Sequence, residues 1–105
     1  MESEARLIMI DYKLPVPELQ YPIFGNDGEL WRVDFAWPAA CLAAEYEGID
    51  WHSGRNEMLR DKERWGKIQE LGWTIIPIVV HDVRRDPDRL ANRIATHLDR
   101  RRMAS

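Results

Sequence analysis

Cysteine is almost missing from this chain. A single residue, Cys41, in 105 excludes an intrachain disulfide and any multi-cysteine zinc site, which fits a reducing, cytoplasmic setting. Long apolar runs are missing as well. The longest early run, Leu7 to Ile10, follows acidic residues and is far too short for a signal peptide. No segment approaches the length of a membrane span, so no membrane partner is expected. There is no internal repeat and no low-complexity tract. An excess of basic charge is also lacking, since the net charge is −3, and this argues at first against a nucleic-acid partner.

What is present is more informative. The 45% hydrophobic and 31% charged content is ordinary for one soluble domain with one modest core. The charge is divided unevenly. Residues 1–54 carry three Lys/Arg (Arg6, Lys13, Arg32) against ten Asp/Glu, whereas residues 55–105 carry twelve against eight. An acidic centre beside a basic half is what a metal-dependent enzyme acting on a polyanion could use. Exposed Arg-rich helices would give the same imbalance without any such function.

In chain order, the pattern predicts a helix over 1–12, closed by the prolines that follow Lys13. Residues 19–24 read as a strand carrying Pro22, hence an edge or a bulge. Gly25-Asn26-Asp27-Gly28 is a hairpin turn, leading into strands over 30–37 and 42–46. A helix over 56–71 follows, with Met58, Asp61, Trp65 and Ile68 on its inward stripe and Gly72 closing it. Residues 73–80 read as a strand despite Pro77. Asp86-Pro87 opens a last helix over 87–102, whose apolar face is Leu90, Ile94 and Leu98. The expected order is α-β-β-β-α-β-α, an α/β fold with a mixed four-stranded sheet flanked by helices.

The stretch from Arg32 to His52, RVDFAWPAACLAAEYEGIDWH, organises the rest. A turn centred between Ala39 and Ala40 pairs Trp37 with Leu42, and therefore Asp34 with Glu45. Directly opposed residues have Cβ atoms about 5 Å apart on one face. Two like charges there repel, and a divalent cation, a shared proton or a basic neighbour would each offset them. Glu47 follows on the same face. Asp34, Glu45 and the backbone carbonyl of Tyr46 are hard oxygen donors that suit Mg²⁺ or Mn²⁺. The same register sets Arg32 opposite Glu47, so an internal salt bridge competes for Glu47. His52 can transfer protons near neutral pH, or simply cap the next helix. His81 and His97, near the ends of the last strand and helix, read as bland, and Cys41 in the turn carries no assigned chemistry.

The pattern Asp34, ten residues, Glu45-x-Glu47-Gly48, then His52, Asp61 and Arg64 resembles the PD-(D/E)XK nuclease superfamily, in particular its very-short-patch-repair-like branch of small bacterial endonuclease domains. The segments LPVPELQYPI, RVDFAWP, EYEGIDWHSG, MLRDKERWGKIQELGW and HDVRRDPDRLANRIATHL carry the likeness across most of residues 2–98. The resemblance implies a restriction-endonuclease-like core and a Mg²⁺- or Mn²⁺-dependent endonuclease that hydrolyses DNA phosphodiester bonds. It implies metal ligation by Asp34 and Glu45, and support from Glu2, Asp61 and Arg64. His52 becomes the candidate general base or phosphate contact. Longer members of the branch continue upstream, often into a winged helix, so besides DNA as partner the resemblance allows either a stand-alone catalytic core or a core that needs an upstream DNA-binding domain. Two positions depart from the pattern: Glu47 stands where the superfamily usually has lysine, and Pro77 where the branch commonly has arginine. They support an alternative, a catalytically weak module of the same fold that binds nucleic acid or protein.

Overall fold

The computed structural model describes residues 2–47 and 55–104, with the side chains of 2, 55–58, 61 and 101–104 outside that description. His52 and Trp51 therefore lie outside the described residues, as do the side chains of Glu2, Met58 and Asp61. The elements are α1 (Glu2–Asp11), β1 (Glu18–Phe24), β2 (Leu30–Trp37), a 3₁₀ turn (Pro38–Ala40), β3 (Leu42–Tyr46), α2 (Arg55–Glu70), β4 (Thr74–Ile78), α3 (Val80–Arg84) and α4 (Pro87–Ala104). The α/β order expected from the sequence is observed, with α3 added. Among the described residues no helix is long and apolar enough to cross a membrane.

The sheet has the order β1-β2-β3-β4. β1 to β3 form an antiparallel meander, and β4 returns parallel to β3 after α2. A parallel neighbour needs a long crossover connection, which the 16-residue α2 supplies. Both prolines in strands sit at the sheet's two edges. Thr74 N–H donates to Cys41 O and Glu47 N–H to Ile78 O, so Thr74 and Ile78 point their backbone towards β3. By alternation Pro77 faces the free edge, where its missing N–H costs no ladder bond.

Helices cover both faces of the sheet and make two cores. Phe35, Trp37, Leu42, Ala44, Ile76 and Ile78 pack under α1, α3 and α4, with Leu90, Ile94 and Leu98 of α4 all buried. The i, i+4, i+8 spacing of those three keeps them on one helical face. On the other side Ala36, Ala43 and Ile75 meet Ile68 of α2, with Trp65 and Trp73 partly buried against them. The central strand β3 is thus buried on both faces at Leu42, Ala43 and Ala44. The alanines let the helix layers approach closely. On α1, Ile8 and Met9 are buried, whereas Leu7 and Ile10 are exposed.

Turn chemistry closes the elements. Gly28 adopts φ 84° in the first hairpin, where Gly25 N–H donates to Glu29 O. Gly72, at φ 95°, ends α2, and Trp73 N–H reaches back to Ile68 O. The run over 73–80 does not stay extended to its end. β4 stops at Ile78, and the Asp82 carboxylate accepts the Val79 N–H at 3.0 Å. That side chain caps α3 and turns the chain, as a capping residue at the third helical position does.

Candidate active site

The β2–β3 pairing runs Trp37↔Leu42, Ala36↔Ala43 and Phe35↔Ala44, then stops. The register is the one read from the turn. However, the Asp34–Glu45 rung that would come next does not form as a ladder pair. β3 instead stays with β4, pairing Glu45 with Pro77 and Tyr46 with Ile78. The strands therefore separate between Asp34 and Glu45, and a notch opens inside the sheet.

Asp34 is placed by what fills the gap. Its Oδ2 accepts the Tyr46 N–H at 2.8 Å, in place of the missing backbone partner. Its Oδ1 accepts from Gln20 Nε2 at 3.3 Å. Gln20 sits on the other side of β2 with φ 48°, and the β1–β2 register passes from Leu19↔Phe35 to Tyr21↔Val33 around it. A non-glycine residue in this region is strained, and such strain gathers at functional sites. Val33 and Phe35, two residues apart, belong to opposite cores, so the strand's facing slips at Asp34.

Glu45 lies on the α2 side with Ala43. Its Oε2 accepts from the Arg64 guanidinium and, at 3.0 Å, from the Trp65 indole N–H. Of the three ways to offset the acid pair, the structure holds a basic neighbour. The pair is partly shielded, with the Glu45 side chain 14% exposed and that of Arg64 22%. Glu45 Oε1 has no donor among the described residues. Tyr46 N–H points to Asp34, and the carbonyl of the same residue lies on the same side of the strand, facing the gap that β2 has left.

The other expected residues are distributed differently. Glu47 is exposed, its N–H held by Ile78 O. The Arg32–Glu47 ion pair that competed for Glu47 does not form, because the β2–β3 ladder ends before reaching Arg32, which pairs on its other side with Pro22 of β1. His81 contacts Asp86 at 3.0 Å. Sequence reasoning missed two partners. Trp65 was read only as core, and nothing in the local pattern marks Gln20. Beyond Arg64, Lys67 bonds Glu29 at 2.8 Å and ties α2 to the hairpin. That hydrogen bond holds the Glu29 carboxyl below the usual carboxylate range and raises the Lys67 ammonium above its own.

The chain is an α/β sheet opened beside a central strand, with acids at the opening. A structure search supports the fold. The chain is similar to the catalytic domain of homing endonuclease I-Bth0305I, with TM-score 0.73, 20% identity, and 95% of this chain and 94% of that one covered. No family model matches the chain. In sequence it is 75% identical over 104 residues to two uncharacterized proteins of Mycobacterium tuberculosis, one from strain CDC 1551 / Oshkosh and one from strain ATCC 25618 / H37Rv. It spans 38% of the length of each.

Proposed function

We propose that this chain is a divalent-metal-dependent endonuclease domain hydrolysing phosphodiester bonds of DNA. The observation that carries the reading is the opened β2–β3 ladder. Beside it the Asp34 carboxylate reaches the Tyr46 amide, one residue from Glu45, whose Oε2 is held from α2. No cluster of three or more His, Cys, Asp or Glu suited to a metal occurs among the described residues; the donors proposed are two carboxylates and a carbonyl. That fits Mg²⁺ or Mn²⁺, since Mg²⁺ keeps several waters and takes one or two carboxylates. When bound, such an ion would lower the pKa of a water and stabilise charge on a phosphoryl oxygen. In this reading Arg64 and Trp65 hold Glu45 by Oε2 so that Oε1 stays available. The Tyr46 amide and Gln20 hold Asp34. Glu47 stands at the mouth as a further acid, with Glu2 and Asp61 in support.

His52 is the proposed proton-transfer group, replacing the lysine usual at the position of Glu47. His52→Ala is expected to slow cleavage by about 10²-fold, the range for a positioned acid–base group, with divalent-ion affinity unchanged. Equal rates in variant and parent would return His52 to a capping role. The proposal as a whole is tested by thermal unfolding in a Mg²⁺ or Mn²⁺ titration. A ligand of the folded state at a hundred times its dissociation constant adds about 2.7 kcal/mol. No stabilisation by either ion would remove the metal site. The second reading, a catalytically weak binding module, draws on the ion pair that occupies Glu45 and on Glu47 and Pro77. It predicts nucleic-acid binding with no cleavage at any divalent concentration.

A further inference from the structure

The outward face of α4 carries a basic groove outside the notch, although Asp88 and Asp99 of the same helix are also exposed. Arg89, Asn92, Arg93, Thr96, His97 and Arg100 line a shallow groove of about 360 Å³. All six come from α4, and no acid lines the groove. Arg93 is steadied by Asp82 at 3.9 Å through one nitrogen, and a guanidinium has further donors to offer. Arg89 and Arg100 are exposed and have no carboxylate partner among the described residues. At 1.5 Å rise per residue, Arg89 and Arg100 lie about 16 Å apart along the helix axis. The sequence adds Arg101 and Arg102 directly after.

We infer that this stripe is a second nucleic-acid contact, a binding surface for the phosphodiester backbone separate from the acidic notch. Arginine forks match phosphate oxygens in pairs, and Asn, Thr and His add neutral or switchable donors of the kind that contact phosphates. A row of cations about 16 Å long suits an anion repeated along a strand better than a single phosphate. A membrane surface fits poorly. A helix lying on lipid inserts its apolar face, whereas Leu90, Ile94 and Leu98 of α4 are buried against the sheet. The contacts read no base, so binding should be independent of sequence. The inference rests on nucleic acid being the substrate class proposed above, but not on catalysis. It also offers an acidic domain a means of holding a polyanion.

The test is equilibrium binding of a labelled 25-base-pair duplex by fluorescence anisotropy, in EDTA so that no cleavage intervenes, over a series of KCl concentrations. Each phosphate contact adds about 0.9 to the slope of log K against log salt. The Arg89→Gln/Arg100→Gln double variant is expected to fold like the parent, bind at least ten-fold more weakly at low salt and flatten the slope by about 2. Arg89→Lys/Arg100→Lys should keep most of the slope. The charge-matched control Arg6→Gln/Lys13→Gln, in and just after α1 and outside the α4 groove, should change both far less. A double variant with the parent's affinity and slope, or a control that loses as much, overturns the inference. So does arginine-dependent binding to phosphatidylserine vesicles or polyglutamate without binding to the duplex. If the parent binds the duplex through these arginines yet never cleaves it with Mg²⁺ or Mn²⁺, this inference stands and the endonuclease reading falls.

Discussion

Asp34→Asn and Glu45→Gln are each expected to abolish divalent-ion binding and lower DNA cleavage by at least about 10³-fold. That corresponds to roughly 4 kcal/mol of transition-state stabilisation, the scale on which a metal acts on a phosphoryl group. The two should differ in stability. From the acid pair alone, neutralising either member would relieve repulsion and stabilise the apo protein slightly. The structure alters this for Glu45, whose charge is already offset by Arg64. Glu45→Gln removes an attraction and should lower the melting temperature without metal. Asp34 accepts neutral donors on both oxygens, from Tyr46 and Gln20; Asn keeps an acceptor for Tyr46 and can donate to Gln20 Oε1 once that amide turns over, so Asp34→Asn should melt close to the parent. Isothermal titration with Mn²⁺, with plasmid cleavage and melts alongside, decides it. Cleavage at the parent rate by either variant would show that these carboxylates do not carry the reaction.

Arg64→Ala should have the second-largest effect, and on two observables at once. Breaking a buried ion pair by removing one partner costs about 3–5 kcal/mol, because the remaining charge stays uncompensated. Here both side chains keep some solvent contact, so about 2 kcal/mol is expected. Trp65 still donates to Oε2 in the variant, but a neutral donor does not balance the charge. Mg²⁺ should therefore restore part of the lost stability, since it supplies the missing positive charge. Cleavage should fall too, as Glu45 would no longer be held in one orientation. Denaturant melts with and without Mg²⁺ measure both effects. A variant that melts like the parent would mean that the Arg64–Glu45 contact contributes nothing to holding the strand and helix together.

The sequence by itself determined the layer order, the β2–β3 register and the faces of α4. The reason is that these depend on short-range periodicity and turn residues. Strand alternation around Pro38–Cys41 sets Trp37 against Leu42, the four-residue spacing of Leu90, Ile94 and Leu98 sets a buried stripe, and Gly72 can take the left-handed turn that ends α2. The same grounds set Asp34 opposite Glu45 and implied the need for an offsetting charge, but the rung itself does not form. The tertiary structure alone decided how that need is met. Whether β3 follows β2 or parts from it depends on how the strands diverge across a sheet completed by β4, which lies beyond a 16-residue helix and leaves no trace in the local pattern. Once β3 leaves, the Tyr46 amide loses its strand partner and takes Asp34's carboxylate. Arg32 can no longer reach Glu47, and Arg64 and Trp65 close on Glu45 from the other layer. Each of these contacts joins residues 12 to 20 positions apart across a break in regular pairing. Periodicity can state which face a residue occupies, but not which unpaired group from another element will meet it there.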